Sequence, residues 1–185
     1  MENKEIEVRF LEINKESLVK KLLEVGAKDF GEVMLEEIIF YDPEGKWKDQ
    51  EKRVRLRKSS DKIKLSYKEI KEKTIDGTIE IEFEVSDMPE AEKFLEKVGL
   101  VAFRHQQKRR HTFELSDVVI DIDTWPRIPT YVELEGPSES AIKEVAEKLG
   151  LEWTDVSFEL PSHIIEGKYG IPVRSMKWFT FDRFE

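Results

Sequence analysis

The chain has 185 residues, enough for one substantial core and with no need of two, so a single domain spanning 1–185 is the expectation. Charged residues make up 38% and hydrophobic ones 39%, which excludes a disordered chain but leaves more charge than an ordinary surface calls for. A formal net charge of −9 argues against general affinity for nucleic acid or anionic membrane, and the lack of cysteine excludes a disulfide frame, a thiolate metal site and a thiol nucleophile.

The start, "MENKEIEV", has no apolar h-region and no later run reaches the length of a membrane span, so a soluble, cytoplasmic protein is expected. "EIEVRF" (5–10) reads as a strand with Glu5, Glu7 and Arg9 on one face and Ile6, Val8 and Phe10 on the other. "NKESLVKKLLEVGA" spaces Leu18, Leu22 and Val25 as a helix that Gly26 stops. "KRVRLRKSSDKIKLSYKEI" reads as a hairpin turning at Ser-Ser-Asp, with Arg53, Arg55 and Arg57, then Lys62, Lys64 and Lys68, at even offsets. "GTIEIEFEVSD" alternates Glu80, Glu82 and Glu84 against Ile79, Ile81, Phe83 and Val85. "SDMPEAEKFLEKVGL" is a helix capped by Ser86 or Asp87, with Pro89 in its first turn and Gly99 at its end.

Three more strands follow. "HQQKRRHTFEL" carries Lys108 and Arg110, "VVIDIDTW" carries Asp121 and Asp123, and "TYVELEG" carries Glu133 and Glu135, with Trp125, Pro126 and Pro129 shaping the loop between the last two. "GPSESAIKEVAEKLGL" is a third helix, opening at Pro137 and Ser138, and "SHIIEGKYG" suggests a short fourth. The aromatic tail "VRSMKWFTFDRFE" is expected to pack on the rest of the fold or on a second subunit. His105, His111 and His163 lack ligand spacing, and no Walker-type glycine loop is present, so phosphate recognition has to come from side chains.

One strand with a charged face is an ordinary solvated surface. Here the charges sort by strand: acids on 5–7, 80–84, 121–123 and 133–135, bases on 53–68 and 108–110. Sorted charge on consecutive strands points to an interior. A closed or nearly closed antiparallel barrel, with apolar faces outward under helices, gathers these faces around a lumen, an α+β architecture. Buried charge of this density needs water, mutual pairing, metal ions or an anion to be tolerable. Basic strands suit a multiply charged anion, and paired carboxylates suit hard divalent cations, so a metal triphosphate satisfies both.

"EIEVRF" resembles the Glu-x-Glu-x-Lys signature of the CYTH superfamily, the triphosphate tunnel metalloenzymes. The resemblance continues in order through "RVRLRKSSDKIKLSYK", "EIEFEVSD", "KRRHTFEL" and "DIDTWPRIPTYVELEG", covering roughly residues 1–150. It implies hydrolysis of a triphosphate-containing small molecule (inorganic triphosphate, thiamine triphosphate or a nucleoside triphosphate) with Mg²⁺ or Mn²⁺. A class IV adenylate cyclase is the alternative, and a catalytically silent polyphosphate binder the second. The His-Phe pair expected before the signature in such cyclases has no counterpart in "MENK", which favours hydrolysis.

Residue by residue, the resemblance implies metal-binding carboxylates at Glu5, Glu7, Asp123, Glu133 and Glu135. It implies phosphate contacts from Arg55, Arg57, Lys68, Lys108 and Arg110, with Lys64 on the same strand parity. Glu80 and Glu82 match an acidic strand that acts in catalysis or positions the bases. Arg9 stands in the signature's catalytic lysine position and departs from it: arginine can grip phosphate bidentately but, with a pKa above about 12, is a poor base. No general nucleic-acid or membrane partner is expected, and residues 151–185 are expected to pack on the barrel or to form a homodimer.

Overall fold

The computed structural model describes residues 3–60, 62–71 and 78–185, and for residues 3–5 the backbone alone. Asp61, in the expected Ser-Ser-Asp turn, lies outside the described residues. In chain order the elements are β1 (Asn3–Glu5), β2 (Glu7–Phe10), α1 (Lys15–Glu24), β3 (Lys28–Tyr41), α2 (Lys46–Asp49), β4 (Lys52–Ser59) and β5 (Lys62–Ile70). Then come β6 (Thr78–Val85), α3 (Met88–Lys97), β7 (Val101–Leu115), β8 (Val118–Thr124), β9 (Tyr131–Glu135), α4 (Glu139–Leu149), β10 (Val156–Ser157), α5 (Pro161–Tyr169) and β11 (Trp178–Phe179).

Helix starts follow the capping residues. Asn14 Oδ1 accepts the Ser17 N–H at 2.9 Å, Asp87 Oδ1 the Glu90 N–H at 2.7 Å, and Ser138 Oγ the Ala141 N–H at 3.2 Å. Helix α4 ends at Gly150, whose φ of 73° is left-handed, a conformation that costs a side-chain-bearing residue strain.

The result is an α+β fold on one antiparallel sheet, in the order β1-β6-β5-β4-β3-β7-β8-β9-β2-β10, with β11 joining β7 in parallel. This order is an open path, not a ring. The consecutive strands β1 and β2 nevertheless take different partners: β1 pairs with β6 and β2 with β9, with Ile6 between them.

Strand alternation separates two environments. Val8, Phe10, Phe113, Ile120, Ile122, Val132 and Leu134 face Leu18 and Leu22 of α1 and Ile142, Val145 and Leu149 of α4 in the main core. On the other side of the sheet order, Ile38, Phe40, Val54 and Leu56 pack with Leu95 of α3. The charged residues between these positions turn to the opposite face. The C-terminal segment packs Ile165, Val173, Met176 and Phe179 against Trp125, Ile128 and Tyr131. Among the described residues no helix is long and apolar enough to cross a membrane.

Candidate functional site

The charged faces of β2, β3, β4, β5, β6, β7 and β9 line one cavity of about 490 Å³, with Leu160, Pro161, Ile165 and Val173 of the C-terminal segment contributing an apolar part of its wall. Twelve basic and seven acidic side chains line it among the described residues, an excess of five positive charges in a chain of net charge −9. Of the expected site residues, Glu7, Arg9, Arg55, Arg57, Lys64, Lys68, Glu80, Glu82, Lys108, Arg110, Glu133 and Glu135 all reach it. Asp123 lies behind the lining, fully buried. The Glu5 side chain is outside the described residues.

Register explains the pairings. Arg55 of β4 lies opposite Ser66 of β5, and Lys68 opposite Glu80 of β6, so the basic hairpin meets the acidic strand on one face. Arg55 Nη2 donates to Glu80 Oε1 at 2.9 Å, Lys64 Nζ to Glu82 Oε1 at 2.6 Å, and Lys68 Nζ lies 3.3 Å from Glu80 Oε2. Arg55 Nε and Ser66 Oγ are buried and have no hydrogen-bond partner among the described residues. Glu80 and Glu82 therefore hold the basic side chains in place.

Arg9 is buried at 3% exposure and fully engaged. Its Nε donates to Glu133 Oε1 at 2.7 Å, its Nη2 lies 2.8 Å from Glu7 Oε1, and its Nη1 donates to the Glu159 carbonyl at 3.1 Å. Burial works against the cation, but Glu7 and Glu133 outweigh it and raise its pKa, so Arg9 stays charged. It cannot take up a proton at any working pH.

On β7, Lys108 Nζ donates to Asp123 Oδ2 at 2.6 Å, and Arg110 straddles Asp123, Asp121 and the same Glu133 carboxylate that Arg9 holds. Burial raises the Glu133 carboxyl, yet Arg9, Arg110, Lys108 and Lys68 together hold it well below the usual carboxylate range. Glu7 follows the same pattern, with burial overcome by Arg9 and Lys68. Burial, with Arg110 adding to it, lowers the Lys108 ammonium despite Asp123.

Glu37 of β3 belongs to this network although no motif in the sequence marks it. It is 3% exposed, accepts Arg57 Nε at 2.6 Å and Gln106 Nε2 at 2.5 Å, and is held below the ordinary carboxylate range because Arg57 and Arg55 overcome its burial. Arg104 and Gln106 also line the cavity; they share strand parity with Lys108 and Arg110, and that parity could have pointed to them. Trp125 sits against Lys108, whose Nζ lies 5.1 Å from its ring centre, and donates to Tyr131 Oη at 2.9 Å. The three histidines go elsewhere: His105 stacks on Trp178, His111 contacts Asp29 and His163 pairs with Glu51.

For a metal ion, the available donors are carboxylate oxygens, the chemistry of a hard divalent cation. No group of three or more potential ligands is preassembled among the described residues. Glu7 and Glu135, however, are cross-strand partners in β2 and β9, and Glu135 is pushed up first by burial and then by the charge of Glu7. A divalent ion between them would relieve that repulsion, so the donors fit. An acid with a raised folded pKa loses stability as pH climbs past its ordinary value. Glu135→Gln is therefore expected to raise Tm at neutral pH without metal, by about 1–2 °C because this side chain, although it lines the cavity, still reaches solvent, which screens much of the effect. Differential scanning fluorimetry with and without Mg²⁺ checks this, since the variant is also expected to lose part of any Mg²⁺-induced rise.

The CYTH domain profile matches residues 3–157. A search of curated proteins gave no match. Among solved structures, the PH1012 protein of Pyrococcus horikoshii OT3 is 30% identical with a TM-score of 0.73, the alignment covering 84% of this chain and 96% of that one. A Vibrio parahaemolyticus protein provisionally named an adenylate cyclase shares the fold at 14% identity, with a TM-score of 0.77 and coverage of 90% and 99%. A Hippeastrum protein, named for adenylyl cyclase and described as having a dominant triphosphatase activity, does so at 14% identity, with a TM-score of 0.63 and coverage of 95% and 100%. CYTH proteins are triphosphatases or adenylate cyclases that bind triphosphate substrates and generally depend on divalent metal. The profile match over most of the length, together with the ordered charged strands around one cavity, places this chain in the CYTH domain family.

Proposed function

We propose that the protein hydrolyses a triphosphate-containing small molecule in this cavity with the help of Mg²⁺ or Mn²⁺. The observation that carries the reading is the excess of cationic side chains converging on one cavity, in a chain whose overall charge is negative. In this reading β1 and β2 bring the two ends of the sheet order together, so that the curled sheet works as a tunnel.

Arg55, Arg57, Lys64, Lys68, Lys108 and Arg110 would bind phosphate oxygens and stabilise the charge that shifts among them during phosphoryl transfer. Arg55 Nε and Ser66 Oγ, unpartnered and buried, offer further donors. A divalent ion held by Glu7 and Glu135, with Glu133 and Glu5 as further carboxylates, would neutralise phosphate charge and lower the pKa of the attacking water. Asp123 then serves as the anchor that aims Lys108 and Arg110. Glu80 and Glu82 do the same for Arg55, Lys64 and Lys68.

Locked between Glu7 and Glu133, Arg9 organises the two carboxylates and performs no proton transfer. Lysine at this position could make fewer of the three contacts, freeing carboxylate oxygens for metal. Arg9→Lys is therefore expected to raise metal-dependent turnover while lowering Tm. A variant with unchanged turnover would remove position 9 as the limiting feature.

The test is to follow phosphate release and cyclic AMP formation together, from tripolyphosphate, thiamine triphosphate and ATP, with Mg²⁺ or Mn²⁺. Phosphate without cyclic nucleotide supports the hydrolase. Cyclic AMP would instead make the protein a cyclase, and binding without either product would make it a binder.

A further inference from the structure

The cations of the cavity fall into two groups. Arg9, Arg55, Arg57, Lys64, Lys68, Lys108 and Arg110 each have a carboxylate within 3.3 Å, and Lys52 Nζ lies 3.6 Å from Glu69 Oε1. Four others have none so near: Lys48 of α2, Arg53 of β4, Arg104 of β7 and Arg174 of the C-terminal segment. Among the described residues the one carboxylate in ion-pair range of these four is Glu166, 3.9 Å from Arg174 Nε.

These four meet where the end of β3, the start of β4 and the start of β7 approach the C-terminal segment. Ile39 lies opposite both Arg55 and Arg104, and Arg53 falls one row further along. A register shift between Ile39 and Phe40 makes Phe103 the extra residue of β7 beside Arg104. Arg104, 4% exposed, donates to Gln106 Oε1 at 2.7 Å and to the Val173 carbonyl at 3.0 Å, neutral acceptors both. Lys48 Nζ donates to the Arg174 carbonyl at 2.8 Å and stands 3.9 Å over the Phe103 ring.

Their charges oppose one another. Burial lowers Lys48 first, then the charges of Arg174 and Arg104; burial lowers Arg104, and Arg53 adds to it. Ile39, Leu160, Ile165 and Val173 supply apolar wall in the same cavity, which hydrates charge poorly. Arg104 is buried and Lys48, Arg53 and Arg174 are half-buried, so cations gathered with so little carboxylate near them are poised for an anion from outside the chain.

We propose that this rim is a subsite for a further anionic group of the substrate, one or more phosphates beyond the triphosphate. The inference rests on the triphosphate reading above, because it places the extra group on the same molecule. The shared chemistry is a phosphate group, supplied either by a longer inorganic chain or by a phosphate ester on the organic part of a nucleotide. A cationic substituent such as the thiazolium of thiamine triphosphate would meet four positive charges, so that compound ranks last.

The test is isothermal titration calorimetry, first with EDTA to prevent turnover and then with Mg²⁺. The ligands are tripolyphosphate, tetrapolyphosphate, ATP and ATP carrying a 3′ phosphate. The wild type is expected to bind a ligand with the extra phosphate about tenfold more tightly than its parent, the value of one charge-assisted contact. In Arg53→Gln and Lys48→Gln that ratio should fall to within about twofold, while Arg55→Gln should weaken parent and extended ligands together and keep the ratio. A gain confined to tetrapolyphosphate identifies the inorganic chain; a gain confined to the 3′-phosphorylated nucleotide identifies the ester. A wild-type ratio near one, or a ratio that survives both rim substitutions, overturns the subsite and leaves the triphosphate reading standing. Failure of Arg55→Gln to weaken tripolyphosphate overturns the triphosphate reading itself, and absence of all binding overturns both.

Discussion

Replacing Glu133 with Gln is expected to destabilise the fold by about 3–5 kcal/mol, measured as the change in unfolding free energy in denaturant. The substitution keeps the shape and removes the charge that Arg9 Nε and Arg110 Nη2 both grip. A buried guanidinium, Arg9, and a half-buried one, Arg110, then lose a shared counter-ion, and the amide nitrogen of Gln turns a donor toward donors. Metal-dependent triphosphate binding should disappear as well; retention of it in a folded variant would count strongly against the proposed site.

The same residue contributes to the acid limb of the stability curve. Glu7, Glu37 and Glu133 all have folded carboxyls held below their ordinary values. In acid the unfolded chain takes up protons before the folded one does. Their stabilisation is therefore complete above the ordinary carboxylate range and drains away as pH falls through it toward the depressed folded values. In Glu133→Gln this acid loss should be shallower than in the wild type, because one of the three contributors is gone.

The second large effect concerns turnover. Arg55→Gln is expected to lower kcat on tripolyphosphate by about 10²–10³, in the range found when a preorganised donor to developing charge is removed. Arg55 is held by Glu80 but keeps a buried, unpartnered Nε, so it arrives at the ligand already positioned. A rise in KM at constant kcat would show that the residue contributes ground-state binding alone.

Much of this site can be read from the one-dimensional chain because strand alternation is a local property. In "RVRLRK" and "EIEFEV" every second residue is charged, and the pleat puts those residues on one face whatever the strand's neighbours are. Helices α1, α3 and α4 were likewise legible, since Asn14, Asp87, Ser138 and Gly150 act within their own turns. Strand β3 was not. Its "EEIIFY" segment lacks strict alternation, because its outward residues Ile38 and Phe40 pack against helix-covered core while Ile39 and Tyr41 line the cavity. Glu37 is hidden in that run for the same reason.

The sequence by itself determined which faces are charged, which strands are acidic or basic, and the resemblance to a family that binds triphosphates. The tertiary structure alone decided which charges answer one another. That Arg9 is spent on Glu7, Glu133 and the Glu159 carbonyl, and that Asp123 sits behind Lys108 and Arg110, depend on strands far apart in the chain. So does the gathering of Lys48, Arg53, Arg104 and Arg174 with little carboxylate near them. The physical reason is that parity is fixed by the backbone within a strand, whereas ion pairing depends on register and sheet order between strands, and no period in the sequence records those.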